Sequence, residues 1–338
     1  MRKRKRSDTA LVIPSIRQDS FERFLKEWTP TGLFDRVDLI LMEDSQTKTF
    51  KIDLENGALE DGHHVHLCWE DIDKKSWARI IPRRSDTVRS FGYWYAYDQG
   101  YDYLMTLDDD CYPNPDYPNI DEIHKSMLTR TRWFNTLNNV RPRGVPYFNL
   151  GQRKVYVNHG LWTGILDYDA PQQLVNPIPE VYTHDNRIIP RGAYHPFCGM
   201  NAMWRREVMV LSYHLLMGRM YPADGGELIQ LPFDRFGDIW CGIIQKKICD
   251  HLGYAVSTGI PYIHHDRASS PFTNLRKEAN GIEVNEWFWE KIDAVELVGD
   301  SAVSCYEQVA HAVGEFGGEH DVYWQMLSKA MLVWAERF

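Results

Sequence analysis

Three short apolar runs, each passing directly into a turn-forming or acidic segment, set the frame for this chain. Leu11-Val12-Ile13 closes on Pro14, Val37 to Met42 runs into Glu43-Asp44, and Tyr103 to Leu107 runs into Asp108-Asp109-Asp110. Short apolar runs closed in this way read as strands. Between them, Phe21 to Trp28 and Asp86 to Tyr97 carry helical spacing, so strand and helix alternate as in an α/β fold with a mostly parallel central sheet. Ligands of such sheets bind beyond the carboxyl ends of the strands, where two of these runs carry acid.

The rest of the chain is less regular. Asp121 to Arg132 reads as a helix following a Pro-, Asn- and Asp-rich loop at 113–118. Residues 139–196, with seven prolines and no sustained periodicity, read as an irregular, pocket-forming section. Helical spacing returns at Ile239, Trp240, Ile243, Ile244 and Ile248, and in the tail through Val322, Met326, Ala330 and Val333. The expected organisation is a basic flexible N-terminus at 1–10, a catalytic domain at 11–280 and a helical C-terminal extension at 281–338.

Composition excludes several classes. With 43% hydrophobic and 13% aromatic residues among 338, the chain has ample apolar surface for a core. Its formal charge is −9, and the one basic cluster, Arg2 to Arg6, leaves the remainder more acidic still, which disfavours nucleic acid as a partner. No run nears the roughly 18 apolar residues of a membrane span, and no secretory signal opens the chain, so a cytoplasmic protein is expected. The six cysteines are scattered, with no C-x-x-C pair for zinc or redox chemistry.

Three adjacent aspartates raise one another's pKa and call for a compensating cation. Mn²⁺ or Mg²⁺, which take oxygen ligands and leave positions for substrate phosphates, suit that role. In an extended segment Asp108 and Asp110 would share one side as metal ligands while Asp109 pointed away. His264 or His265, in Pro261-Tyr262-Ile263-His264-His265-Asp266, would add an imidazole, and His265 is taken as the third ligand.

Several blocks resemble the reversibly glycosylated polypeptides, or UDP-arabinopyranose mutases. They are Val12 to Arg17, Asp108 to Cys111, Phe134 to Leu137, His159 to Trp162 leading to Asp167-Tyr168-Asp169-Ala170-Pro171, Cys198 to Asn201, Ile248 to Leu252, Thr258 to Ile263 and Ala268 to Pro271 with Asn274-Leu275. The resemblance implies a GT-A-like nucleotide-sugar-binding fold, a UDP-sugar substrate, Mn²⁺ or Mg²⁺, and interconversion of UDP-arabinopyranose and UDP-arabinofuranose. It also implies a glycosylated arginine, which falls at Arg143. Two positions depart from the family's pattern: a second arginine falls at Leu150, with Arg153 three residues on, and paired aspartates are replaced by Gly237-Asp238.

On this basis Pro14 and Ser15 shape the nucleotide turn, Asp44 hydrogen-bonds uracil or ribose, and Arg17 and Arg89 join Asp108 and Asp109 around the diphosphate. Arg143, as adduct-forming residue or phosphate clamp, needs a carboxylate partner, with Asp167, Asp169 and Asp238 as candidates. His159 is a further acid–base candidate. Trp162, Tyr168 and Trp240 are candidates for stacking or for core packing. Three readings stay open: a UDP-pentose mutase, a glycosyltransferase acting on a separate acceptor or its own arginine, and a non-catalytic nucleotide-sugar-binding scaffold, any of them in a homo- or hetero-oligomer.

Overall fold

The computed structural model describes residues 7–52, 63–129, 143–144, 154–175, 186–222, 226–266 and 270–338. The Arg2–Arg6 cluster, Phe134 to Leu137, Leu150, Arg153 and Ala268 lie outside them.

In chain order the strands are β1 (Thr9–Ser15), β2 (Asp38–Glu43), β3 (His64–Leu67), β4 (Tyr103–Leu107), β5 (Cys111–Tyr112), β6 (Val155–Gly164), β7 (Asn186–Ile188), β8 (Asn201–Arg205), β9 (Arg219–Met220), β10 (Ile229–Gln230) and β11 (Ala255–His265). The helices are α1 (Gln18–Trp28), α2 (Leu33–Arg36), α3 (Trp69–Asp73), α4 (Arg89–Asp98), α5 (Ile120–Leu128), α6 (Ala170–Val175), α7 (Gly237–Leu252), α8 (Pro271–Asp293), α9 (Ala302–Gly314) and α10 (Asp321–Ala335). Apart from the β9–β10 hairpin, the strands form one sheet in the order β3-β2-β1-β4-β8-β6-β11-β5, with β7 on the flank of β11. Strands β1, β2, β3, β4, β6 and β11 run one way; β5, β7 and β8 run against them. The chain is thus α/β with a mostly parallel sheet and C-terminal helices, as its sequence suggests.

Burial on both faces explains why the middles of β1 and β2 are apolar at successive positions. Ala10 and Val12 of β1, with Ile40 and Met42 of β2, face one core, while Leu11 and Ile13, with Leu39 and Leu41, face the other. Helices α1, α2 and α5 cover the second face. The first is covered by α4, α7, α9 and α10, through an aromatic cluster that includes Phe233, Trp240, Phe288 and Trp324. The expected boundary between residues 280 and 281 lies within α8, and the later helices share this core with the sheet.

Two local readings are corrected. The section 139–196 contains β6, a ten-residue strand at the heart of the sheet. Its buried Asn158 is satisfied by distant groups: Asn158 donates to Nδ1 of His124 at 2.7 Å and accepts from Ser257 at 2.6 Å, and His124 Nε2 donates to Asn201 at 2.9 Å. Burial lowers the His124 pKa to about 4, consistent with this neutral relay. In α10 the buried face runs through Tyr323, Trp324, Leu327, Met331 and Trp334, whereas Val322 is 76% exposed. The helix is real, but its apolar stripe is rotated from the one expected.

Candidate functional site

The cleft forms where β1, β2 and β4 end. It encloses about 560 Å³ and is lined by Pro14 to Arg17, Asp44, Arg84 to Asp86, Arg89, all three residues of the triplet, Asp167, Gln173, Met200, Arg235, His265 and Lys277. The triplet is not extended. Cys111 N–H donates to the Asp108 carbonyl at 3.1 Å, closing a turn between β4 and β5, so all three carboxylates fan into the cleft. Asp109, expected to point away, accepts from Ser15 Oγ at 2.6 Å and from Arg17 at 2.7 Å. Asp108 instead takes Arg89, at 2.6 Å.

Arg89 reaches Asp108 from the first turn of α4, where it is 2% exposed. The helix sits this deep because Gly92 packs on β1 and β2: a Cβ there would meet Val12 Cγ1 at 2.7 Å. The same guanidinium donates to the Gly199 carbonyl at 2.6 Å and the Asp86 carbonyl at 3.0 Å, so its fork is fully engaged within the protein. Asp86 faces His214 at 3.6 Å; burial opposes its charge, but His214 and Arg89 hold its carboxyl well below the usual carboxylate range.

Register brings His265 to the triplet. Strand β5 pairs with β11 so that His265 lies opposite Cys111, and His265 Nε2 stands 3.8 Å from Asp110 Oδ1. The ring's Nδ1 lies 2.7 Å from the Ile165 carbonyl and donates to it, which turns Nε2 toward Asp110. Burial, and then the charge of Asp108, push Asp110 up to about 7. Among the described residues no three His, Cys, Asp or Glu side chains form a preformed metal cage. A crowded carboxylate facing an imidazole nitrogen nevertheless suits Mn²⁺ or Mg²⁺, which would fill its remaining positions from water and substrate phosphate. His264, one residue earlier, is exposed on the other side of the strand.

The remaining expected residues divide. Asp44 lines the cleft, but its Oδ1 already accepts from Trp69 Nε1 at 2.7 Å and from Arg84 N–H at 3.0 Å. Asp167 also lines it and accepts from the Cys198 thiol at 2.7 Å; burial and this carboxylate raise the thiol pKa far above normal, so Cys198 is a donor, not a nucleophile. Asp238 lies behind the wall, accepting from Gly199 N–H at 2.9 Å, and is pushed up to about 7 by burial and by the charge of Asp86. His159 is not at the cleft. It lies in mid-strand, five positions before β6 ends, with Nδ1 3.1 Å from Thr258 Oγ1 and with burial holding its pKa well below normal. Asp169 caps α6, accepting from Gln172 N–H at 2.9 Å, and does not line the cleft. Arg143 lies in an exposed turn whose flanking residues are outside those described. Trp162 and Trp240 are core residues, and Tyr168 packs beside the core.

Cleft residues that sequence reading missed are Arg84, Ser85, Asp86, Gln173, Met200, Arg235 and Lys277. For one group a local signal existed: Ser85 stands immediately before the helical pattern that begins at Asp86, and it caps the turn leading into α4 by accepting from Thr87 N–H.

Fold and cleft together define an α/β protein with an acidic, arginine-flanked pocket at the ends of parallel strands. The profile of the family described as "Reversibly glycosylated polypeptide" matches residues 4–338, and the chain belongs to that family. It is 35% identical to "Probable UDP-arabinopyranose mutase 1" of Pisum sativum, over 96% of this chain and 89% of that one. It is 33% identical to "UDP-arabinopyranose mutase 3" of Arabidopsis thaliana, with the same coverage. Among solved structures it resembles glucosyl-3-phosphoglycerate synthase from Mycobacterium tuberculosis, in complex with Mn²⁺, uridine diphosphate and glucosyl-3-phosphoglycerate. The TM-score is 0.40 at 12% identity, covering 85% of this chain and 77% of that chain. Among the described residues no helix is long and apolar enough to cross a membrane.

Proposed function

We propose that this protein is a UDP-sugar mutase that interconverts UDP-arabinopyranose and UDP-arabinofuranose in the triplet cleft of a GT-A-like fold. The observation that carries this is the similarity, over 96% of the chain, to proteins named for that activity. The cleft chemistry agrees with it. Asp110 and His265 would hold Mn²⁺ or Mg²⁺, which supplies positive charge to the leaving diphosphate. Ser15 and Arg17 fix Asp109, Arg89 fixes Asp108, and the acidic turn is thereby presented as a unit. Asp167, whose Oδ2 accepts from Cys198, would use its other oxygen to orient a sugar hydroxyl or move its proton, with Asp238 behind the wall.

Incubation of the pure protein with UDP-arabinofuranose and Mn²⁺, without an acceptor, is expected to yield the pyranose form on chromatography. Absence of interconversion with either divalent metal overturns the reading. A second reading, transfer of the sugar to the protein's own Arg143, is favoured by Leu150 standing where the family carries its second arginine. It predicts that radiolabel from the UDP-sugar remains on the protein and disappears in Arg143→Ala while UDP affinity is kept.

A further inference from the structure

Only two non-glycine residues among those described adopt a left-handed backbone, and both are arginines lining the same cleft: Arg84 at φ 53° and Arg235 at φ 66°. Residues with a Cβ avoid this region, and strain of this kind persists only where the surroundings enforce it. Each arginine is fixed by a carboxylate from a neighbouring segment. Asp44, just after β2, accepts the Arg84 backbone N–H at 3.0 Å and is itself anchored by the Trp69 indole. Glu278, buried on α8, accepts Arg235 Nε at 2.8 Å and Ala170 N–H at 2.7 Å. Glycine would take either backbone without strain, so what the arginines add is their side chains.

The charge pattern of the cleft shows what those side chains would meet. Asp44, Asp86, Asp108, Asp109, Asp110 and Asp167 make the pocket hostile to an anion unless cations remain unspent. Arg17 is taken by Asp109, and Arg89 by Asp108 and two carbonyls. Lys277 faces Asp234 at 3.5 Å. Among the described residues the Arg84 guanidinium has no ion pair, and the terminal nitrogens of Arg235 have no hydrogen bond beyond the Nε contact with Glu278. A guanidinium whose fork is free matches the paired oxygens of a phosphate.

We propose that Arg84 and Arg235 bind the diphosphate of the nucleotide substrate, with Asp44 and Glu278 as their positioning residues. This assigns Asp44 to holding Arg84 in place of contacting the base, and it rests on the nucleotide-sugar reading above. Departure of the sugar leaves its electron pair on the terminal phosphate oxygen, and two arginines facing that group would keep the diphosphate in the cleft for re-attack on the anomeric carbon.

The test is calorimetric titration of the full chain with UDP and, separately, uridine, each with Mn²⁺. Arg84→Gly is expected to keep or raise thermal stability and Arg235→Gly to lower it, because the buried Glu278 loses its ion pair; both weaken UDP binding about tenfold or more, with uridine binding unchanged. Arg84→Lys regains part of the loss. Asp44→Ala and Glu278→Ala reproduce the loss of UDP-over-uridine preference, and Asp44→Asn and Glu278→Gln, which keep an acceptor, retain it. Equal UDP affinity in the glycine variants and the wild type overturns the proposal, as does an equal loss for uridine. Failure of the wild type to bind UDP overturns the nucleotide-sugar reading itself.

Discussion

Arg89 donates to the Asp108 carboxylate at 2.6 Å from a position that is 2% exposed, so the triplet's first carboxylate is anchored to the start of α4. Because the same fork also serves the Gly199 and Asp86 carbonyls, lysine cannot replace it: a single ammonium does not reach three acceptors set in different directions. Arg89→Lys is expected to cost about 1–3 kcal/mol, the penalty for leaving buried acceptors unpaired. Urea unfolding checks it; a variant as stable as the wild type would show that the fork does not hold this corner together.

The two remaining aspartates of the triplet differ in what they touch, and their amides should differ in effect. Asp110 faces His265, whereas both oxygens of Asp109 are taken by Ser15 and Arg17. Asp110→Asn is expected to weaken UDP binding in the presence of Mn²⁺ far more than in its absence. Asp109→Asn should lower thermal stability and weaken binding by a similar factor with and without metal. Titrations with and without Mn²⁺ separate the two, and a reversed pattern would move the metal to Asp109.

How far the sequence disclosed this site depended on whether the relevant partners were local. Strands β1 and β2 were legible because both faces are buried and their middles, Ala10 to Ile13 and Leu39 to Met42, are apolar. Strand β6 was not, because the groups that satisfy Asn158, His124 and Ser257 lie far apart in the chain. The triplet's location followed from the end of an apolar run, but its turn did not, since that depends on Ser15, Arg17 and Arg89 arriving from other elements. Arg84 and Arg235 gave no sequence signal, because a left-handed arginine reads like any other. His159 and Asp169 sit in recognisable blocks, yet one lies in mid-strand and the other caps a helix.

Asp238 gives the protein a pH dependence of defined sign. Burial and the neighbouring Asp86 push it up to about 7, against about 3.9 in an unfolded chain. Between those values the folded state holds a proton that the unfolded chain has released, so the contribution to stability is full below about pH 4 and is lost as pH rises through about 7. Asp238→Asn does not titrate and keeps an acceptor for Gly199 N–H. The melting temperature of the variant minus that of the wild type should therefore rise from pH 4 to 7 and then level off. Asp110, present in both proteins, largely cancels in this difference. A flat difference across the window would show that Asp238 stays ionised in the folded protein.

Gly237, which stands beside Asp238 where the resemblance to the family implies a second aspartate, has no room for a side chain. A Cβ there would lie 2.7 Å from Thr87 Cγ2, 3.1 Å from Met217 Cγ and 3.3 Å from the Leu215 carbonyl. Thr87 is buried and β-branched, with little rotamer freedom to move aside. Alanine would gain up to about 1 kcal/mol of helix propensity at the start of α7, but overpacking a close contact costs about 1–3 kcal/mol, so Gly237→Ala should be destabilising. Adding Thr87→Ser removes the offending methyl and should recover most of the loss, a coupling readable from urea unfolding of both single variants and the double variant. If Gly237→Ala is neutral, or the serine fails to rescue it, the missing aspartate is not explained by packing against Thr87.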